Sequence, residues 1–321
     1  MDWREHLPSV IKGKTFQLKF EPSTSDPSTE RVISAGIPSN LEVMIYARTF
    51  QQALAANQLI EAADCLVNGV ANSDDINNLI VYAVENEGEN QRIADYFGLI
   101  TPGYNSVIFQ QKPDTFLTCK ITARASFRRK FIIALHKYFI SCNLHCNHGI
   151  DLDPTHAPYH IPLPVLTSDH LRYAYAIMIS YSIIEELQLE VRASSNKPTY
   201  LPNGDWNPKV RTDLEARLTN AGIDISETVL WNVRGGVTTL EKRRRPKAVC
   251  KAEWAYGDVR DCEVNIIDAI SDLSWMRSKI TAHKVDADIK KLSVYDVNNA
   301  QHLARRLILE SLEFWRALHE E

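Results

Sequence analysis

Between Ser168 and about Val191, the residues Tyr173, Ile177, Tyr181, Ile184 and Leu187 recur at spacings of four and three. That period lays an apolar stripe along one side of a long helix, and such a stripe has to be covered by other elements. The pattern returns twice further on. Cys262, Ile266, Ile270, Leu273 and Met276 form a stripe within Asp261 to Ile280, and Leu303, Leu307, Leu312, Trp315 and Leu318 can face inward from a last helix running from about Val297 to His319. The last half of the chain is therefore expected to be α-rich.

The first half reads differently. Thr15 to Phe20 alternates polar and apolar like a half-buried strand, and Glu21 to Thr29 is a Pro/Ser/Thr-rich loop. Leu41 to Val67 has a helical pattern closed by Asn68-Gly69, and Asp74 or Asp75 caps a second helix to about Phe97. Tyr104 to Thr122 is rich in Val, Ile, Phe and Thr and reads as one or two strands, followed by a basic amphipathic helix from Ser126 to Cys142. Between Asn143 and Pro164 four prolines fall among histidines and aspartates, which marks a long loop and a domain boundary. The expected fold class is mainly α: a mixed α/β region over 1–160, then a helical domain over 165–321. An insertion at about 192–258 interrupts that domain, with a short helix at Thr212–Asn220 and β-like sequence at Val229–Leu240.

A chain of 321 residues with 45% hydrophobic and 24% charged residues can bury a real core in one or two domains. The net charge of −4 means that any nucleic-acid partner must be met by local positive charge. Such a place exists. Lys242, Arg243, Arg244, Arg245 and Lys247, with Arg234 and Lys251, set seven cations against the single acid Glu241. A run of this kind can neutralise several phosphates, and the flanking Trp231 and Trp254 can stack on bases. The same residues also read as a solvated loop beside two core tryptophans.

The opening segment MDWREHLPSVIKGK lacks the apolar stretch of a signal peptide, and the longest near-apolar run, Tyr173 to Ile184, is short for a bilayer span. A cytoplasmic protein with no membrane partner is expected. Its six cysteines then read as reduced thiols. Cys142, His145, Cys146 and His148 are residue types that suit zinc, but no second Cys-x2-Cys knuckle follows, and they also read as a buried helix end and a histidine-bearing loop. No metal and no cofactor are expected. There is no Gly-x4-Gly-Lys-Ser/Thr loop, no His-Glu-x2-His and no Gly-x-Ser-x-Gly.

The most informative segment is Leu273-Ser-Trp-Met-Arg277-Ser278-Lys-Ile-Thr-Ala-His283, at the end of the penultimate helical pattern. Arginine stays charged and presents a planar fork to phosphate, and histidine titrates near neutrality. Together they can bind a phosphodiester and move a proton to or from a ribose oxygen, with Ser278 adding one hydrogen bond. Six positions at ~100° each leave Arg277 and His283 ~120° apart on one helix, so either the helix breaks or each meets partners from a second protomer. Taken alone, the pair also reads as a helix-end cation and a loop histidine. Glu185 and Glu186 read as surface charges that can also line the same cleft.

This arrangement resembles the HEPN family, whose pattern is an arginine, a polar residue after it, and a histidine with four to six residues between it and the arginine. The matching residues are Arg277, Ser278 and His283, and the order of long helix, insertion, motif helix and final helix agrees over roughly 165–321. The resemblance implies a HEPN-like helical bundle and a metal-independent endoribonuclease working as a homodimer, with Arg277 binding phosphate and His283 as acid/base. It also implies a role as a toxin or in antiviral (anti-phage) defence. Lys279 and Lys284, beside the motif, add to the expected RNA surface with Lys242, Arg243, Arg244, Arg245 and Lys247. The family equally contains non-catalytic RNA- or nucleotide-binding and dimerisation modules, and Ser278, where many members have Asn, Asp or His, fits that alternative.

Overall fold

The computed structural model describes residues 10–22, 40–69, 108–110, 114–144, 167–234, 249–256, 259–278, 292 and 294–318. It is mainly α with some β: seven α-helices and two small antiparallel sheets among the described residues. Contacts divide the chain into two compact units, with the division between Ile132 and Ile133 inside a helix. The loop expected as the boundary falls almost wholly at 145–166, outside the described residues.

The first unit holds strands β1 (Val10–Lys12), β2 (Phe16–Pro22), β3 (Asn40–Ala47) and β4 (Ile108–Gln110) in the order β1-β2-β3-β4. Register sets Phe16 opposite Ala47, Leu18 opposite Ile45 and Phe20 opposite Val43. Side chains alternate across a strand, so these six share one face. Helices α1 (Phe50–Asn68) and α2 (Asp114–Ser126) cover that face with Ala53, Ala56, Ile60, Phe116 and Cys119. At Gly13, in the β1–β2 turn, a Cβ would stand 2.5 Å from the Phe16 ring, which would have to move to admit it.

Two expectations in this unit need correction. Leu41 to Val67 is not one helix: residues up to Ala47 form β3, and α1 begins at Phe50, where Thr49 accepts from the Gln52 N–H. Val43, Ile45 and Ala47 suit a helical pattern by themselves, but they match the inward row of β2. Among the described residues of Tyr104 to Thr122, strand is found at Ile108–Gln110, and Asp114–Ser126 is helix. There Thr122 donates to the Thr118 carbonyl, so this hydroxyl is satisfied along the helix itself.

The second unit is built around helix α4 (Thr167–Glu186), which is buried on most sides through Ala174, Ala176, Ile177, Ser180, Tyr181, Ile183 and Ile184. It packs on α6 (Ile266–Met276) and α7 (Val294–Ser311). Helix α3 (Arg129–Leu144) is joined to it by hydroxyls: Ser141 Oγ lies 2.9 Å from Ser180 Oγ, and the Gln301 amide on α7 donates to Ser141. Helix α5 (Pro208–Asn220), capped by Asn207 with Pro208 in its first turn, turns Val210, Leu214 and Leu218 inward and stops before Gly222, at φ 81°. Strands β5 (Thr228–Arg234), β6 (Val249–Tyr256) and β7 (Val259–Asn265) form the sheet β5-β7-β6, with α6 against β5 and β7 and α7 along β5.

The segment Asp261 to Ile280, expected to be wholly helical, is strand to Asn265 and helix only from Ile266. Pairing with β5 on one side and β6 on the other holds its first part extended. Asn265 then accepts from the Ile267 N–H at 2.9 Å and starts the helix. No helix among the described residues is long and apolar enough to cross a membrane.

Candidate functional site

Helix α6 and the turn that follows it carry a row of hydroxyls, Ser271, Ser274 and Ser278, at spacings of three and four. Two are engaged by tyrosines. The Tyr200 hydroxyl lies 2.8 Å from Ser271 Oγ, and the Tyr181 hydroxyl donates to Ser274 Oγ at 3.1 Å. Near the start of the helix, Asp268 accepts from the Trp206 indole at 2.7 Å, and Trp206 leans on Tyr200 with ring centroids 5.0 Å apart. The inserted segment thus braces the first half of α6, and Tyr181 of α4 holds Ser274 further on. Burial raises the Tyr181 hydroxyl above the ordinary phenol range, with its bond to Ser274 opposing, so it stays a neutral donor.

Arg277 caps the C-terminal end of α6, where the chain enters a π-type turn with Ser278. Such turns are frequent at functional sites because they re-aim side chains. The guanidinium lies over the Tyr181 ring, 5.8 Å from its centroid, and Nη2 is 3.5 Å from Oε1 of Glu185. Tyr181 and Glu185 are one turn apart on α4, so a single face of that helix supplies both the aromatic bed and the counter-ion. Past Glu186 the helix ends with Gln188 at φ 64° and the Leu189 N–H on the Ile184 carbonyl, a Schellman closure. Arg217 on α5 then clamps the exit through the carbonyls of Gln188 and Glu190.

A half-exposed arginine on an aromatic ring at a helix end can receive an anion of fork geometry, phosphate foremost. Comparison with protein-family models, curated proteins and solved structures gives no match to this chain.

Of the residues singled out in the sequence, Arg277 and Glu185 are brought together, and Ser278 is half-buried beside them. Glu186 is turned aside to Lys137, at 3.2 Å. Trp231 is a core residue, 1% exposed, and cannot stack on a base. Cys142 is buried on α3, and no group of three or more metal-binding side chains occurs among the described residues. His283, Lys279, Lys284, Lys242, Arg243, Arg244, Arg245, Lys247, His145, Cys146 and His148 lie outside the described residues. Sequence reasoning missed the bracing set of Tyr200, Trp206, Ser271 and Ser274. Its only signal was the serine row, with Asp268 and Asp272, on a helix whose other residues are apolar.

Proposed function

We propose that the chain is a metal-independent endoribonuclease with a HEPN-like C-terminal domain, acting as a homodimer. The observation that carries this reading is Arg277 itself: a half-exposed guanidinium at the end of α6, seated on Tyr181 and six positions before His283. Arg277 holds the scissile phosphodiester and offsets the charge that builds on its non-bridging oxygens. His283 takes the proton from the 2′-hydroxyl, whose oxygen attacks phosphorus. The P–O5′ bond breaks, and the leaving oxygen takes a proton from a general acid, the imidazolium of the partner subunit's His283. The products are a 2′,3′-cyclic phosphate and a 5′-hydroxyl. The basic run from Lys242 to Lys247 contributes to RNA affinity through phosphate contacts. A role in toxin action or anti-phage defence belongs to this same reading.

The test is cleavage of a labelled RNA pool in EDTA by wild type, His283→Ala and Arg277→Ala. Cleavage by wild type alone, leaving cyclic phosphate ends, is expected. Intact RNA with all three folded proteins, alongside measurable RNA affinity, would favour the non-catalytic binding and dimerisation module. Ser278 after the arginine is the residue that suits this second reading.

A further inference from the structure

We infer that Glu185 is a built-in competitor for phosphate at Arg277, so that this site takes an anionic phosphoester and Glu185 sets how readily it enters. The inference rests on the phosphodiester reading of Arg277 given above. Three ion pairs of the second unit make the contrast. Arg306 and Glu310 meet at 2.6 Å with both side chains under 10% exposed, and Arg217 meets Asp213 at 3.0 Å with the arginine 16% exposed. The Arg277–Glu185 pair is longer, 3.5 Å, and its side chains are 42% and 39% exposed. A pair of that length and exposure is screened by water and adds little to the fold.

Glu185 is not needed to seat the cation. The Tyr181 ring beneath Arg277 is itself 4% exposed and tied through its hydroxyl to Ser274, so the aromatic bed is fixed by the core. What the carboxylate does supply is a negative charge at the group that a phosphate must reach. A phosphoester offers oxygens of the same geometry and displaces it, and while both stay close they repel. Glu185 therefore weakens every phosphate ligand and raises the threshold for entry. A residue that merely positioned Arg277 would have the opposite sign, because its loss would weaken binding.

The sign is measurable on the full chain with a fluorescein-labelled 2′-O-methyl RNA oligonucleotide, which binds without cleavage, by anisotropy at low salt. Glu185→Gln is expected to bind about threefold to tenfold tighter than wild type, the size of losing one partly screened repulsion. Arg277→Ala is expected to bind more weakly, and adding Glu185→Gln to it to change nothing further, because the competition is at the guanidinium. Unfolding curves for each variant establish that they are folded. If Arg277→Ala loses affinity while Glu185→Gln binds no tighter than wild type, Glu185 is a positioning residue and this inference fails with the phosphodiester reading intact. If Arg277→Ala binds like wild type, or wild type and Glu185→Gln both fail to bind, the phosphodiester reading and this inference fall together.

Discussion

Asn299 on α7 closes the open edge of strand β5 by exchanging two hydrogen bonds with the backbone of Asn232: its Oδ1 accepts from the Asn232 N–H and its Nδ2 donates to the Asn232 carbonyl, each at 2.8 Å. The amide imitates one residue of a neighbouring strand. An edge strand offers unpaired groups that invite another chain, and here a helix side chain satisfies them inside the core. Both asparagines are 2% exposed, so water cannot replace the bond. Asn299→Ala should cost on the order of 2–4 kcal/mol, the sum for two buried backbone groups left without partners. Urea unfolding measures it, and a loss below about 1 kcal/mol would contradict this role.

Arg306, 3% exposed, joins α7 to the start of β5 through the Thr228 carbonyl and Glu227, bonds Glu310 at 2.6 Å, and lies 5.2 Å from the centroid of the Trp315 ring. Burial raises the Glu310 carboxyl, and the Arg306 hydrogen bond opposes that rise. Arg306→Met should therefore cost ~3–5 kcal/mol at pH 7, because it strands a buried carboxylate. The double variant Arg306→Met with Glu310→Leu should recover much of the loss. Chemical denaturation of both variants decides. Equal loss in the single and double variants would mean that the bonds to β5 dominate instead.

His136, on α3 and half-buried, has its imidazolium disfavoured by burial, so its pKa in the folded chain lies below the ordinary value of 6.5. The unfolded chain then binds more protons between the two values, and stability rises with pH across that window. Its contribution is fully present above 6.5 and is lost as pH falls through 6.5 toward the folded value. Unfolding free energies at a series of pH values from about 5 to 8, for wild type and His136→Gln, isolate the effect. The wild type should lose more stability on acidification than the variant, and parallel curves would remove His136 as the cause.

Legibility followed the range of the forces involved. The helix over 168–191 was readable because its apolar period is local, and it runs from Thr167 to Glu186. Helix α5 was readable because Gly222 stops it, and its start is fixed by the cap of Asn207. Strands β3 and β7 were not readable. Leu41 to Ala47 and Asp261 to Asn265 carry helix-compatible patterns, and pairing across the sheet, with Phe16 to Pro22 for one and Thr228 to Asn232 for the other, holds them extended. The candidate site divides in the same way. Arg277 is legible from its place before His283, and Glu185 reads as a surface charge. Their pairing depends on α4 and α6 packing at the one height where Tyr181 meets Ser274.

By itself, then, the sequence determined where apolar periodicity and capping residues make helices, and where a lasting positive charge stands near a titratable histidine. Those properties belong to neighbours within a few positions of one another along the chain. The tertiary structure alone decided which ambiguous segments became strands, that Trp231 belongs to the core and not to a ligand, and that Arg277 rests on Tyr181 beside Glu185. These outcomes depend on groups tens of residues apart, whose pairing is set by the burial of whole faces and cannot be inferred from either segment alone.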